Sequence, residues 1–103
     1  MDDNNDHFEV LRQIQKKPET TQRELAVELG FSLGKLNYCM KALQQKGLIK
    51  IENFKKNKKK INYLYILTPK GIDHKLNLTL KFMKKKMQEY DQLKKETNKP
   101  KDA

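Results

Sequence analysis

The stretch from Thr21 to Leu67 constrains this chain more than any other, because it prescribes two short helices, a tight turn and a hairpin in fixed order. Thr21-Gln22-Arg23-Glu24 has the form of a capping box, with a hydroxyl at the N-cap and a carboxylate three residues on. Leu25, Ala26 and Leu29 then share one helical face, and Gly30 supplies a residue able to close the helix in a tight turn. Ser32 is a good N-cap for a second start, and Leu36, Met40 and Leu43 follow at spacings of four and three before Gly47. Two short helices joined by two or three residues with a glycine between them form a helix-turn-helix.

The next residues change period. Leu48 to Phe54 and Ile61 to Leu67 are rich in β-branched and aromatic side chains, as strands are, and between them lies Lys55-Lys56-Asn57-Lys58-Lys59-Lys60. A hairpin with that tip contributes little to a core but suits contact with phosphate. The expected fold is therefore mainly α with a small β-hairpin: a winged helix-turn-helix. Thr68-Pro69, a hydroxyl N-cap with proline at the first helical position, starts a long C-terminal helix running to about Glu96.

The remaining boundaries follow from pattern. Residues 1–7 are expected to be a flexible N-terminus, and Phe8, Val10, Leu11 and Ile14 give a short amphipathic first helix ending before Pro18. Residues 8–67 then form the winged domain, 68–96 the C-terminal helix, and 97–103 a solvated tail. With 103 residues and 36% hydrophobic side chains the core is modest, so packing from a partner chain is expected. On the last helix Leu76, Leu80, Met83, Met87 and Tyr90 recur at spacings of four and three, a seam suited to a homodimer. Lys84 and Lys94 weaken that seam, which spans barely two heptads, and a helix packing only on its own domain is the alternative. Leu78 and Phe82 lie on an adjacent face suited to docking on the winged body.

Charge is uneven. Residues 1–30 carry four basic and seven acidic side chains, whereas residues 31–103 carry nineteen basic and six acidic, giving the net +10. A basic field of this size attracts polyanions and speeds association with them. Abundant lysine from an AT-rich genome and a soluble surface is the competing explanation, and it weighs more on the C-terminal helix than on the wing. No apolar run approaches the roughly 20 residues that span a bilayer, and the acidic N-terminus is unlike a signal peptide, so the expectation is a cytoplasmic protein.

If Leu36, Met40 and Leu43 are buried, a helix turning about 100° per residue points Gly34, Tyr38, Lys41 and Gln45 outward, with Lys35 and Asn37 on the flanks and Ser32 at the start. Asn and Gln match adenine edges, Lys reaches guanine or phosphate, and Tyr contacts a thymine methyl or a phosphate. Gly34 allows close approach of the backbone to a duplex. Lys55, Lys56, Lys58, Lys59 and Lys60 would follow the backbone or enter the minor groove, supplying affinity more than sequence choice. The wing has no arginine, which would read a narrow minor groove better, so it is expected to grip rather than read.

Catalytic chemistry is not indicated. His7 and His74 stand apart with no carboxylate or cysteine pattern and are expected at the surface. The lone Cys39 cannot form an internal disulfide; a small buried side chain is its ordinary role and a redox switch the alternative. No cofactor, metal site or phosphate-binding glycine loop is expected.

These residues resemble a family. Thr21–Ala26, Ser32–Cys39 and Leu43–Ile49 are similar to a MarR-type winged helix, and Leu67-Thr68-Pro69-Lys70-Gly71 matches the step by which that family leaves its wing. The Ser32–Cys39 run with the basic C-terminal helix is most similar to the EPS-associated MarR-type branch. The resemblance covers about Phe8 to Glu96. It implies a dimeric transcriptional regulator binding double-stranded DNA, linked to exopolysaccharide genes. Larger members carry aspartate and arginine at the wing tip and an effector pocket beside a dimer domain built from both termini. This chain has Asn57 and lysines in its wing, a short first helix and one long last helix, which argues against a small-molecule effector. A winged module binding protein or RNA within a complex is the alternative function, and an apolar outer face on the third helix would favour it.

Overall fold

The computed structural model describes residues 3–57 and 60–97, with side chains for 4–53 and 63–97. The elements in chain order are α1 (Asp3–Lys16), β1 (Glu19–Thr20), α2 (Gln22–Leu29), α3 (Leu33–Gln45), β2 (Ile49–Asn57), β3 (Lys60–Leu67) and α4 (Pro69–Thr97). α2 and α3 are the helix-turn-helix, and β2–β3 is the wing.

Local chemistry sets the helix ends. The Thr21 hydroxyl accepts the Glu24 amide at 3.1 Å, while the Glu24 carboxylate accepts the Thr20 hydroxyl at 3.2 Å. α2 closes at Gly30, whose φ of 69° is left-handed, and the Phe31 amide reaches back to the Ala26 carbonyl at 2.9 Å. Ser32 caps α3 by accepting the Lys35 amide at 3.1 Å. Gly47, at φ 72°, ends that helix the same way, with the Leu48 amide on the Leu43 carbonyl.

The helices converge on one core. Val10, Leu11 and Ile14 of α1 meet Leu25 and Ala26 of α2, Leu36, Cys39, Met40 and Leu43 of α3, and Leu48, Ile49 and Tyr65 of the sheet. Leu78 of α4 joins them, and Phe82 stacks at a tilt on Phe8 with ring centroids 5.0 Å apart. From Met83 to Thr97 every residue of α4 is exposed, so its second half projects from the body. At 29 residues and about 1.5 Å each the helix is about 44 Å long.

α4 is seated by its first turn. The Thr68 hydroxyl accepts the Gly71 amide at 3.0 Å and donates to the Gly47 carbonyl at 2.6 Å, while the Thr68 amide donates to the Leu48 carbonyl at 3.0 Å. One threonine thus ties the end of α3 to the start of α4. Gly71 is required because a Cβ there would collide with the Leu48 carbonyl oxygen and lie 2.9 Å from its carbon. The Leu67–Gly71 step is therefore a packing device.

Three expectations are corrected. The sheet has three strands in the order β1-β3-β2, not two: Glu19 pairs with Leu64 and Thr20 with Tyr63. A two-residue strand has no period to recognise, and its partner lies over forty positions away. Second, α1 begins at Asp3, inside the segment expected to be a flexible lead-in. Acidic residues at a helix start favour the positive end of the backbone dipole without any apolar pattern. Third, His7 is 4% exposed rather than a surface residue, and His74 is half-buried, its Nε2 without a hydrogen-bond partner among the described residues. The strands also continue into the lysine-rich tip, where Lys55 pairs with Ile61 and Asn57 with Lys60 across an irregularity at Lys56.

Candidate nucleic-acid interface

α3 presents its outward face as its periodicity requires. Leu36, Cys39, Met40 and Leu43 are buried, which turns Gly34, Tyr38, Lys41 and Gln45 to solvent, with Asn37 exposed on the flank. Tyr38 is 64% exposed, a large aromatic on a face that the domain itself leaves uncovered. Nothing lies within 4 Å of a Cβ built on Gly34, so the backbone there is open to approach. Ser32 is exposed at the start of the helix, its oxygen engaged by the Lys35 amide and its hydroxyl proton left to donate.

Lys35 departs from the set. Its ammonium lies 3.4 Å from Asp6 Oδ1 of α1 and 4.2 Å from the centre of the Phe31 ring. It sits on the flank nearer α1, where two intramolecular partners compete for its charge. Lys41 is left as the cation of the outward face, with uncharged hydrogen-bonding groups around it. Two exposed residues of α3 lie beyond the set expected from the sequence: Leu33, at 48%, and Gln44. Both lie on the Asn37 flank, and counting at 100° per residue would have found them.

In the wing, Lys55 and Lys56 belong to β2 and Lys60 to β3, and their side chains lie outside the described set, as do Lys58 and Lys59 entirely. The sheet beneath is well founded. Tyr65, 1% exposed, stacks on Tyr63 at 6.1 Å between ring centres. Burial, with Tyr63 beside it, pushes the Tyr65 phenol up to about 12.

The second expected surface is on α4. Leu76, Leu80, Met83, Met87 and Tyr90 are 53–65% exposed and form one stripe, well separated from the Leu78–Phe82 face that docks on the body. Ile72, half exposed, lengthens the stripe by a turn at the same spacing of four. The ammonium of Lys86 lies 3.5 Å from Glu89 on its own helix, an exposed pair that contributes little. Among the described residues no cluster of three or more His, Cys, Asp or Glu is placed to hold a metal ion, and no helix is long and apolar enough to cross a membrane.

Comparison with known proteins agrees with this architecture. Residues 7–50 match the family described as winged helix-turn-helix DNA-binding. A Staphylococcus aureus MarR, solved with salicylate and kanamycin, is 27% identical at a TM-score of 0.65, over 93% of this chain and 60% of that one. A Lactococcus lactis ZitR variant solved in complex with DNA is 21% identical at a TM-score of 0.62, over 84% and 57%. A transcriptional regulator homologue from Pyrococcus horikoshii is 15% identical at a TM-score of 0.66, over 85% of each chain. No curated protein matches by sequence. The chain thus spans about 60% of the length of the first of these regulators.

Proposed function

We propose that this chain is a MarR-type transcriptional regulator that binds double-stranded DNA, with α3 in the major groove and the lysine-rich wing on the backbone or in the minor groove. The observation that carries this reading is the outward face of α3. Asn37, Tyr38, Lys41 and Gln45 stand exposed on a helix whose other side is fixed in the core. Such a helix is rigidly aimed, which base-edge recognition requires. Asn37 and Gln45 would address adenine edges, Tyr38 a thymine methyl or a phosphate, and Lys41 guanine or phosphate, with Ser32 and Gly34 allowing close approach. Lys55, Lys56, Lys58, Lys59 and Lys60 would add sequence-independent affinity.

The exposed stripe from Leu76 to Tyr90 supports a homodimer, since a monomer gains nothing from so continuous an apolar edge in water. Two copies would place their α3 helices in successive major grooves, roughly 34–36 Å apart, on a pseudo-palindromic site. The regulated genes we place in exopolysaccharide clusters, on the resemblance of the Ser32–Cys39 run, and the protein in the cytoplasm. The single long helix after the wing argues against a small-molecule effector. An open groove lies between α1 and α4, floored by Phe8 and Phe82 and rimmed by Arg12, Lys75 and Lys86.

The test is selection of bound duplexes from a random library at about 150 mM salt. A two-fold motif with half-sites about one helical turn apart is expected, and Tyr38→Ala and Lys41→Ala should weaken binding to it more than to unrelated duplexes. Recovery of unenriched DNA would overturn sequence-specific regulation. The protein- or RNA-binding alternative gains little from α3, whose outward side carries mainly polar groups rather than an apolar patch.

A further inference from the structure

Lys35 lies on the helix proposed to enter DNA, yet its charge is spent inside the protein. The ammonium is 3.4 Å from Asp6 Oδ1 and 4.2 Å from the Phe31 ring centre, so it bridges α1 and the turn before its own helix. The two partners are unequally exposed: 14% for the Asp6 side chain and 34% for that of Lys35. A carboxylate so nearly withdrawn from water depends on its counter-charge more than an exposed one does. Phe31 packs against the core and is itself held by its amide bond to Ala26. Both anchors of the ammonium are therefore fixed parts of the domain.

We propose that Asp6 is a positioning residue for DNA binding: it withholds Lys35 from the duplex, so that α3 engages through Lys41 and its uncharged neighbours. The inference rests on the DNA-binding reading above. A lysine on a phosphate adds affinity for any sequence, with about 0.9 in the log–log salt slope for each phosphate neutralised. Holding one lysine back on each protomer keeps the hold on every duplex weaker and less sensitive to salt than the lysine count of α3 would give. Spacing along the chain leaves Lys35 free, because Asp6 stands twenty-nine positions away in a segment with no apolar pattern.

The experiment measures equilibrium binding of the full chain over a salt series. The probes are the best-enriched duplex from the random library and a scrambled duplex of the same composition. Asp6→Asn should tighten binding to both by about fivefold per protomer at ~150 mM salt and steepen the slope by about 0.9. Lys35→Met, which keeps the stem against Phe31, should leave the salt slope at the wild-type value. In the Asp6→Asn background it should return both affinity and slope to the wild-type values. Asp73→Asn, which adds the same net charge on α4, should leave the slope unchanged.

A Lys35→Met protein that binds more weakly with a flatter slope would show Lys35 already on DNA and overturn the proposal. An unchanged slope in Asp6→Asn would overturn it equally. Trace acetylation without DNA, read by mass spectrometry, separates the failures. Lys35 should react more slowly than Lys41 in the wild type and as fast as Lys41 in Asp6→Asn. Equal reactivity in the wild type overturns the pairing itself. Protected Lys35 in a protein that binds neither duplex overturns the DNA reading and the withholding role together. Thermal unfolding of each variant confirms that it is folded.

Discussion

Replacing Gly71 by alanine sets two physical effects against each other, and the structure decides the sign. Helix propensity alone favours alanine over glycine in α4 by about 1 kcal/mol. Against that, the new Cβ would collide with the Leu48 carbonyl oxygen and lie 2.9 Å from the carbonyl carbon. The obstacle is backbone, and it is held from both sides. The Leu48 amide donates to Leu43 at 2.9 Å and its carbonyl accepts the Thr68 amide at 3.0 Å. Relief must come from α4 moving away, which stretches the Thr68 hydroxyl bond to Gly47 and the Thr68 amide bond to Leu48. Overpacking costs about 1–3 kcal/mol, and each weakened hydrogen bond about 1 kcal/mol more. The net expectation is a loss of about 2–4 kcal/mol, a large part of the roughly 5–15 kcal/mol that holds a domain of this size. Thermal unfolding followed by circular dichroism at 222 nm should show the midpoint fall by roughly 8–30 °C. A midpoint equal to or above that of the wild type would mean that propensity alone operates, and would refute the close seating of α4 on Leu48.

Three other perturbations follow from the same geometry. Leu80→Asp and Met87→Asp each put a charge into the exposed stripe of α4; sedimentation velocity should show a dimer for the wild type and monomers for the variants, and an unaltered dimer would place the interface elsewhere. Alanine at Lys55, Lys56, Lys58, Lys59 and Lys60 together should weaken all duplexes and flatten the salt dependence by about 0.9 in log–log slope for each phosphate left unneutralised; an unchanged slope would remove the wing from the backbone. Tyr65 carries a phenol raised to about 12 by burial, with Tyr63 adding to it. The unfolded chain therefore ionises first, near 10, so stability is full below pH 10 and declines from there to about pH 12, by about 2–3 kcal/mol. Urea titrations over that range should show the decline in the wild type and a shallower one in Tyr65→Phe. That substitution should also be neutral or slightly stabilising at pH 7, since the buried hydroxyl has no partner among the described residues.

What could be read from the residues alone was whatever depends on near neighbours. The Thr21 and Ser32 caps, the glycine turns at Gly30 and Gly47 and the buried stripe of α3 all arise within four or five positions, so spacing and residue type suffice. The outward position of Asn37, Tyr38, Lys41 and Gln45 follows from the same stripe, because a helix with one buried side has only one side left. The two faces of α4, Leu78–Phe82 inward and Leu76–Tyr90 outward, were legible for that reason too.

Tertiary structure decided what depends on distant partners. Glu19 and Thr20 become a strand only because β3 offers them an open edge, and His7 is buried only because α1 packs where it does. Gly71 must be glycine because Leu48, more than twenty residues earlier, brings its carbonyl there. Lys35 has the composition and position of a DNA-binding residue, and counting along the helix cannot distinguish it from one. Its charge is directed inward by Phe31, four residues before it, and by Asp6, which only folding brings to it. Periodicity assigns a side chain to a face, but electrostatics depends on which charges the fold sets beside it.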